Sequence, residues 1–262
     1  MKILFQTLKA EILKNKRSPI VLSSFIAFGL APVIGAVFIF MVQSPDMLAH
    51  SGGLAIKAKA MNFEANWSSY LSILSQAVGV GGVLVFGFVA SWVFGREYAE
   101  GTAKDILSLP TSRTTIIHAK FMVYSLWCLG LAISNLGLAL ILGLMLGLPP
   151  VDFQIVSSHL TDYGVTTIMT ILMGTPIAFF AVYGRGYLAP LGFVALTLVF
   201  AQVIAAAGFG YYFPWSIPGL FSGAGGDYKS QLNIVSYSIL LLTALSGYLA
   251  TLFYMKLADQ TK

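Results

Sequence analysis

Residues 69–113 decide the fold: they read SYLSILSQAVGVGGVLVFGFVASWVF and then GREYAEGTAKDILSLPTSR. The first part, 69–94, carries no charged side chain and exceeds the roughly 20 residues that a helix needs to cross a bilayer. The second part, 95–113, is the most charge-dense stretch of the chain. A charged segment that directly follows a lipid-soluble one predicts a membrane protein that presents a folded element outside the membrane.

The composition extends this prediction to the whole chain. Its 262 residues are 57% hydrophobic and only 10% charged, whereas soluble domains carry about 25% charged residues. One core cannot hide so much apolar surface, so we expect an all-α membrane protein that forms one domain over 1–262. The six predicted transmembrane helices are 19–42, 69–94, 121–148, 163–183, 188–208 and 232–255.

The basic residues predict the orientation of these helices. Of the 15 Lys and Arg residues, all but Lys57, Lys59 and Lys229 lie on one side of the predicted bundle. Lys and Arg concentrate in cytoplasmic loops, so both termini are expected in the cytoplasm. The same rule explains the net charge of +5 without a nucleic acid partner.

Two further elements flank the spans. Residues 1–18 place Leu4, Leu8 and Ile12 on one side of a basic amphipathic helix, which is expected to lie along the inner leaflet. The alternative is a basic flank that only sets topology. Residues 209–231 are aromatic but broken by Pro214 and Pro218, which predicts a broken or re-entrant outer element before the sixth span. The alternative there is an ordinary aromatic belt.

The charged loop has the pattern of a short, stiff helix. Gly101 ends the helix of the second span, Thr102 and Asp105 fit a capping box, and Pro110 stops the new helix. Such a helix suits the groove of a partner protein, and the alternative is a helix resting on lipid. The apolar side chains that it presents are those of Ile106, Leu107 and Leu109.

Several kinds of chemistry are missing from the sequence. It contains no G-x-x-x-x-G-K-[ST] nucleotide loop, no catalytic constellation, no metal-ligand spacing and no Asp, Glu, Lys, Arg or His inside the six predicted spans. We therefore expect no enzyme and no metal site, and energy for transport would have to come from another chain. Gln76, Asn135 and Gln202 are polar residues within spans, where they line a substrate path or make interhelical hydrogen bonds.

The loop resembles the first cytoplasmic loop of ABC type-2 exporter permeases. The six spans, the N-terminal helix and the broken element before the last span are similar to that family as well. The aromatic stretch 211–218 and the chain length look most like permeases of bacitracin- or lantibiotic-type resistance and immunity systems. The loop residues that carry the resemblance are Glu97, Gly101, Thr102, Leu107, Pro110, Ser112 and Arg113.

The resemblance implies a bacterial cytoplasmic-membrane permease that moves a hydrophobic or amphipathic substrate outward, such as a peptide antibiotic or another toxic compound. It implies two copies of a cytoplasmic ATP-binding subunit, which bind ATP and Mg, and a second permease subunit as a homodimer or heterodimer. This chain would hold no cofactor. A membrane scaffold that anchors a cytoplasmic partner is the alternative function. The residues expected to couple to the ATPase are Glu97, Gly101, Thr102, Asp105, Ile106, Leu107, Leu109, Pro110 and Arg113.

Overall fold

The computed structural model describes residues 2–16, 18–44, 64–103, 111–150, 153–226 and 229–257, and this part of the chain is helical without strands. The helices are α1 (Lys2–Lys16), α2 (Pro19–Gln43), α3 (Trp67–Gln76), α4 (Gly82–Ala99), α5 (Arg113–Met145), α6 (Phe153–Leu172), α7 (Thr175–Tyr183), α8 (Leu188–Ala206), α9 (Ile217–Phe221) and α10 (Ile234–Leu257).

Six helical segments are long and apolar enough to cross a membrane, as the sequence predicts. Two of them combine two helices each: a π-helical turn, Ala77–Gly81, joins α3 to α4, and a short break joins α6 to α7. The segments are Pro19–Gln43, Trp67–Ala99, Arg113–Met145, Phe153–Tyr183, Leu188–Ala206 and Ile234–Leu257. The third begins at Arg113 rather than 121, and the fourth at Phe153 rather than 163, so these helices extend beyond the predicted spans.

The second and fourth segments form the centre of the bundle. In their most apolar stretches 61% and 67% of the residues are buried, against 22–33% in the other four segments. Helix α4 packs against α7 and α8, α7 packs against α10, and α2 packs against α5. The outer helices therefore expose large apolar side chains, such as Leu22, Ile133, Leu196 and Leu242, as expected of helices that contact lipid.

A hydrogen bond that proline removes from α2 is replaced by a neighbouring helix. Pro32 lacks an N–H group, so the carbonyl of Phe28 loses its usual helical donor. The Asn135 side chain of α5 donates to that carbonyl at 2.9 Å. The Tyr70 hydroxyl donates to the carbonyl of Pro32 at 2.8 Å. These two bonds fix α2 against α5 and α3.

The segment between α8 and α10 is folded in short pieces, because its prolines and glycines interrupt helix formation. It contains two 3-10 turns, Gly210–Tyr212 and Lys229–Gln231, with α9 between them. Ile217 and Leu220 of α9 are buried, and α9 packs against α6 and the π-helical turn. The prediction that this segment re-enters the membrane is not tested by its short helices and stays a prediction.

Candidate functional site

Four charged side chains meet at the end of the bundle where α1 lies. They are Glu11 and Lys14 of α1, Glu97 of α4 and Lys120 of α5, here called the charge cluster. The Lys14 ammonium lies 2.7 Å from Glu11 Oε1 and 2.9 Å from Glu97 Oε1. The Lys120 ammonium lies 2.9 Å from Glu97 Oε1 and 3.4 Å from Glu11 Oε2. Each ammonium thus bridges both carboxylates.

The cluster is balanced in charge, and all of its members except the partly exposed Lys14 are buried. Lys120 is only 3% exposed, and its ammonium also donates to the Val93 carbonyl at 2.9 Å. Burial alone would lower the pKa of Lys14, but the carboxylates of Glu11 and Glu97 outweigh it and raise that pKa. Isolated buried charges are very costly, whereas paired and hydrogen-bonded ones are tolerated. Removing one partner would therefore leave its neighbours uncompensated.

The α1 helix supplies half of the cluster because of its register. Glu11 lies seven residues after Leu4, and helical periodicity puts both on the face that packs on α5. Asn15 continues this face, and its side chain accepts a hydrogen bond from Arg96 of α4 at 3.3 Å. The packing face of α1 therefore changes from apolar to polar along its length.

The loop after α4 begins with a well-formed helix end. Gly101 has a positive φ of 73°, which L side chains rarely adopt. The Thr102 N–H donates to the Glu97 carbonyl at 2.9 Å, and the Gly101 N–H donates to the Tyr98 carbonyl at 3.3 Å. This pair of bonds is a Schellman motif, so Glu97 closes the helix with its backbone while its side chain joins the charge cluster.

The other end of the loop is also held by hydrogen bonds. Ser112 caps α5 by accepting a hydrogen bond from the Thr115 N–H at 3.2 Å. Arg113 donates to the carbonyl of Met255 in α10 at 3.2 Å. The predicted coupling residues Asp105, Ile106, Leu107, Leu109 and Pro110 lie outside the described residues, so the predicted helix among them stays a prediction.

A second candidate site is a cavity of about 560 Å³ near α9. The π-helical turn forms one wall, since a Cβ on Gly79 would lie 2.6 Å from the Pro218 carbonyl oxygen. The Trp215 Nε1 group is buried and finds no hydrogen-bond acceptor among the described residues. The lining includes Gly79, Leu198, Ala201, Gln202, Ala205 and Trp215. The cavity is thus of mixed polarity, with small and apolar side chains beside the polar Gln202 and Ser216.

The three polar residues predicted within spans lie in different environments. Gln202 lines the cavity, whereas Gln76 donates to Ser72 within α3 at 3.3 Å. Asn135 is 1% exposed and makes the interhelical bond to Phe28 described above. The structure brings only Gln202 of these three to the cavity.

The sequence reading missed Glu11, Lys14 and Lys120. They lie just outside the predicted spans, where charged side chains are normally solvated. One signal was present: Glu11 is the only acidic residue of α1 and shares its apolar face with Leu4 and Leu8. A single carboxylate on the packing face of a basic helix indicates a buried basic partner.

Comparison with known proteins agrees with this architecture. Residues 7–203 match the family described as ABC-2 family transporter protein. The chain is also similar to the Bacitracin transport permease protein BCRB of Bacillus licheniformis, with 23% identity over 180 residues. That alignment covers 68% of this chain and 85% of the relative. No solved structure matches the chain significantly.

The family match includes the charge cluster, both ends of the loop and most of the spans. Members of such a family are membrane components whose ATP is bound by a partner subunit. A multi-pass helical chain of this kind, without a nucleotide loop of its own, fits that role. The chain therefore belongs to the ABC-2 transporter family, as the transmembrane permease subunit of an ABC exporter.

Proposed function

We propose that this permease moves an amphipathic peptide antibiotic of the bacitracin class outward, driven by ATP hydrolysis in a separate subunit that docks on loop 100–112. The complex contains two ATP-binding subunits and two permease chains, and it lies in the cytoplasmic membrane of a bacterium. Both termini and loop 100–112 face the cytoplasm, in accord with the distribution of Lys and Arg.

The charge cluster is the observation that carries this proposal. Glu97 is three residues before the loop and binds Lys14 of α1. Lys120 follows the loop in α5 and binds both Glu97 and Glu11 of α1. A movement of the loop is therefore passed to α1, α4 and α5 together. Breaking a buried ion pair is costly, so the cluster favours movement as one body.

The lining of the cavity supports an amphipathic substrate. Small and apolar side chains beside the exposed Gln202 amide suit a molecule that has both apolar and polar parts. The relative's name supplies the narrower suggestion of bacitracin. Ala205 of α8 lines this cavity, while Ala195 of the same helix is exposed outside it.

The proposal is tested with the permease and its ATP-binding subunit in proteoliposomes. Bacitracin should stimulate ATP hydrolysis and accumulate on the outer side of the membrane. Ala205→Phe, which fills the cavity, should reduce that stimulation several-fold, and Ala195→Phe should leave it unchanged. If the ATPase binds but bacitracin neither stimulates it nor moves, the substrate assignment is wrong. If no amphipathic peptide is transported, the alternative function, a membrane scaffold that anchors a cytoplasmic partner, would be favoured.

A further inference from the structure

Two apolar grooves run side by side where α1 crosses α5. The first has a volume of about 620 Å³, and the second about 300 Å³. Both lie within the size range of ligand sites in proteins. The first is lined by Leu4, Leu8, Phe121, Met122 and Tyr248, and the second by Ile12, Lys16, Phe25, Trp127 and Gly130.

Leu126 of α5 lines both grooves and forms the ridge between them. It is 54% exposed, and Met122 beside it is 44% exposed, so the grooves open toward the surroundings of the bundle. Two neighbouring apolar channels on either side of a leucine ridge match the form of two acyl chains that diverge from one headgroup.

The charges of α1 indicate the sign of that headgroup. Glu11, its only acidic residue, is turned into the charge cluster and is 4% exposed. Lys9 and Lys16 are exposed, and Lys16 lines the second groove. The exposed charges of α1 beside the grooves, Lys16 in the lining of the second and Lys9 next to Leu8 of the first, are therefore cationic. Such a cationic rim attracts an anionic lipid and repels the same rim of a second copy.

We propose that these grooves bind one anionic diacyl phospholipid from the leaflet on the α1 side, with one chain in each groove and the headgroup at Lys9 and Lys16. The exposed Phe5 and Leu13 of α1, which are 69% and 56% exposed, lie at the same interface and favour contact with acyl chains. A lipid bound here holds α1 against α5. By mass action it stabilises the arrangement in which the charge cluster forms.

The experiment uses the full chain, purified in detergent and supplied with equal amounts of phosphatidylglycerol and phosphatidylcholine, which share their acyl chains. Native mass spectrometry counts the lipid that remains bound. One phosphatidylglycerol per chain is expected, well in excess of phosphatidylcholine. Lys9→Gln and Lys16→Gln should each reduce this preference about fivefold. Lys256→Gln, at an exposed lysine of α10, should leave it unchanged.

Groove-filling variants test where the chains lie. Gly130→Leu fills the second groove, and its Cβ would lie 3.6 Å from Phe25, an ordinary contact. Gly137→Leu is the control, because it lies two helical turns further along the same face of α5 where nothing approaches its Cβ. Gly130→Leu should lose the bound lipid while Gly137→Leu retains it. Ser125→Leu fills the first groove and serves if Gly130→Leu does not fold.

Three outcomes would overturn the proposal. One is equal retention of the two lipids, because the cationic rim would then select nothing. Another is an unchanged amount of bound phosphatidylglycerol in a groove-filling variant that folds. The third is a dimer without phospholipid in which the groove-filling variants become monomers, since a second copy would then cover the grooves.

Discussion

Lys120 lies where an ammonium group without carboxylate partners would be strongly destabilising, because it is buried. It is 3% exposed and depends on Glu97 and Glu11 for compensation. Lys120→Met should reduce the free energy of unfolding by about 3–5 kcal/mol, because two carboxylates would then share Lys14. Thermal unfolding of the purified chain in detergent measures this loss.

A second variant separates lost pairing from lost packing. Adding Glu11→Gln to Lys120→Met removes the excess carboxylate and leaves Glu97 paired with Lys14. The double variant should be more stable than Lys120→Met alone. If the single and the double variant have the same melting temperature, the cluster is held by packing rather than by charge. Lys256→Met is the exposed control.

Asn135 and Pro32 form a pair that a double-mutant cycle can test. Asn135→Leu leaves the Phe28 carbonyl without a donor and should cost about 1–3 kcal/mol of unfolding free energy. Pro32→Ala restores a helical N–H to that carbonyl, so the Asn135 change should cost much less in a Pro32→Ala background. A change in substrate preference with normal stability would instead favour the substrate-path hypothesis for Asn135.

At the scale of elements, α1 is held by its packing face rather than by its exposed lysines. Leu8 is half-buried against α5, so Leu8→Glu should lower the melting temperature of the chain. Lys9→Gln, at the next and exposed position, should leave the melting temperature nearly unchanged in detergent without added lipid. Equal effects would indicate that α1 only supplies positive charge to the membrane flank.

The proposed docking of the ATP-binding subunit on the loop after α4 can be tested with one substitution. Leu107→Asp puts a charge where the predicted short helix would contact the ATP-binding subunit. It should abolish co-purification of that subunit or separate ATP hydrolysis from export, while the permease inserts normally. Ser108→Asp, a neighbouring polar position, is the matched control. Wild-type binding and export in the Leu107 variant would exclude this loop as the coupling element.

Some elements could be predicted from the sequence and others could not. Long apolar runs require helices in a bilayer, so the existence of six spans followed from local composition. The π-helical turn depends on the fit of Gly79 against Pro218, which are distant in sequence. The charge cluster requires α1 to fold back onto α5, and only Glu97 of its four members was singled out. Tertiary contacts, rather than local preferences, determine both.

At the scale of the whole molecule, the charge cluster and the cavity lie at different positions along one membrane segment. Trp67–Ala99 contains Gly79 at the cavity and Glu97 at the cluster. Its π-helical turn lies between α3 and α4, at a point where helices often bend. The segment is therefore a continuous mechanical connection between the proposed site of coupling and the proposed site of transport.

This arrangement requires that the loop and the cavity side face opposite sides of the membrane, which cysteine labelling can test. Cys128 is fully buried, so Cys128→Ala provides a background without a native thiol. In that background Ser108→Cys should react with a membrane-impermeant maleimide only after the cells are opened. Lys57→Cys, in the predicted outer loop, should react in intact cells, because the distribution of Lys and Arg would otherwise be inverted. Labelling of both positions from outside would contradict the six-span topology, and with it the docking of a cytoplasmic ATPase on loop 100–112.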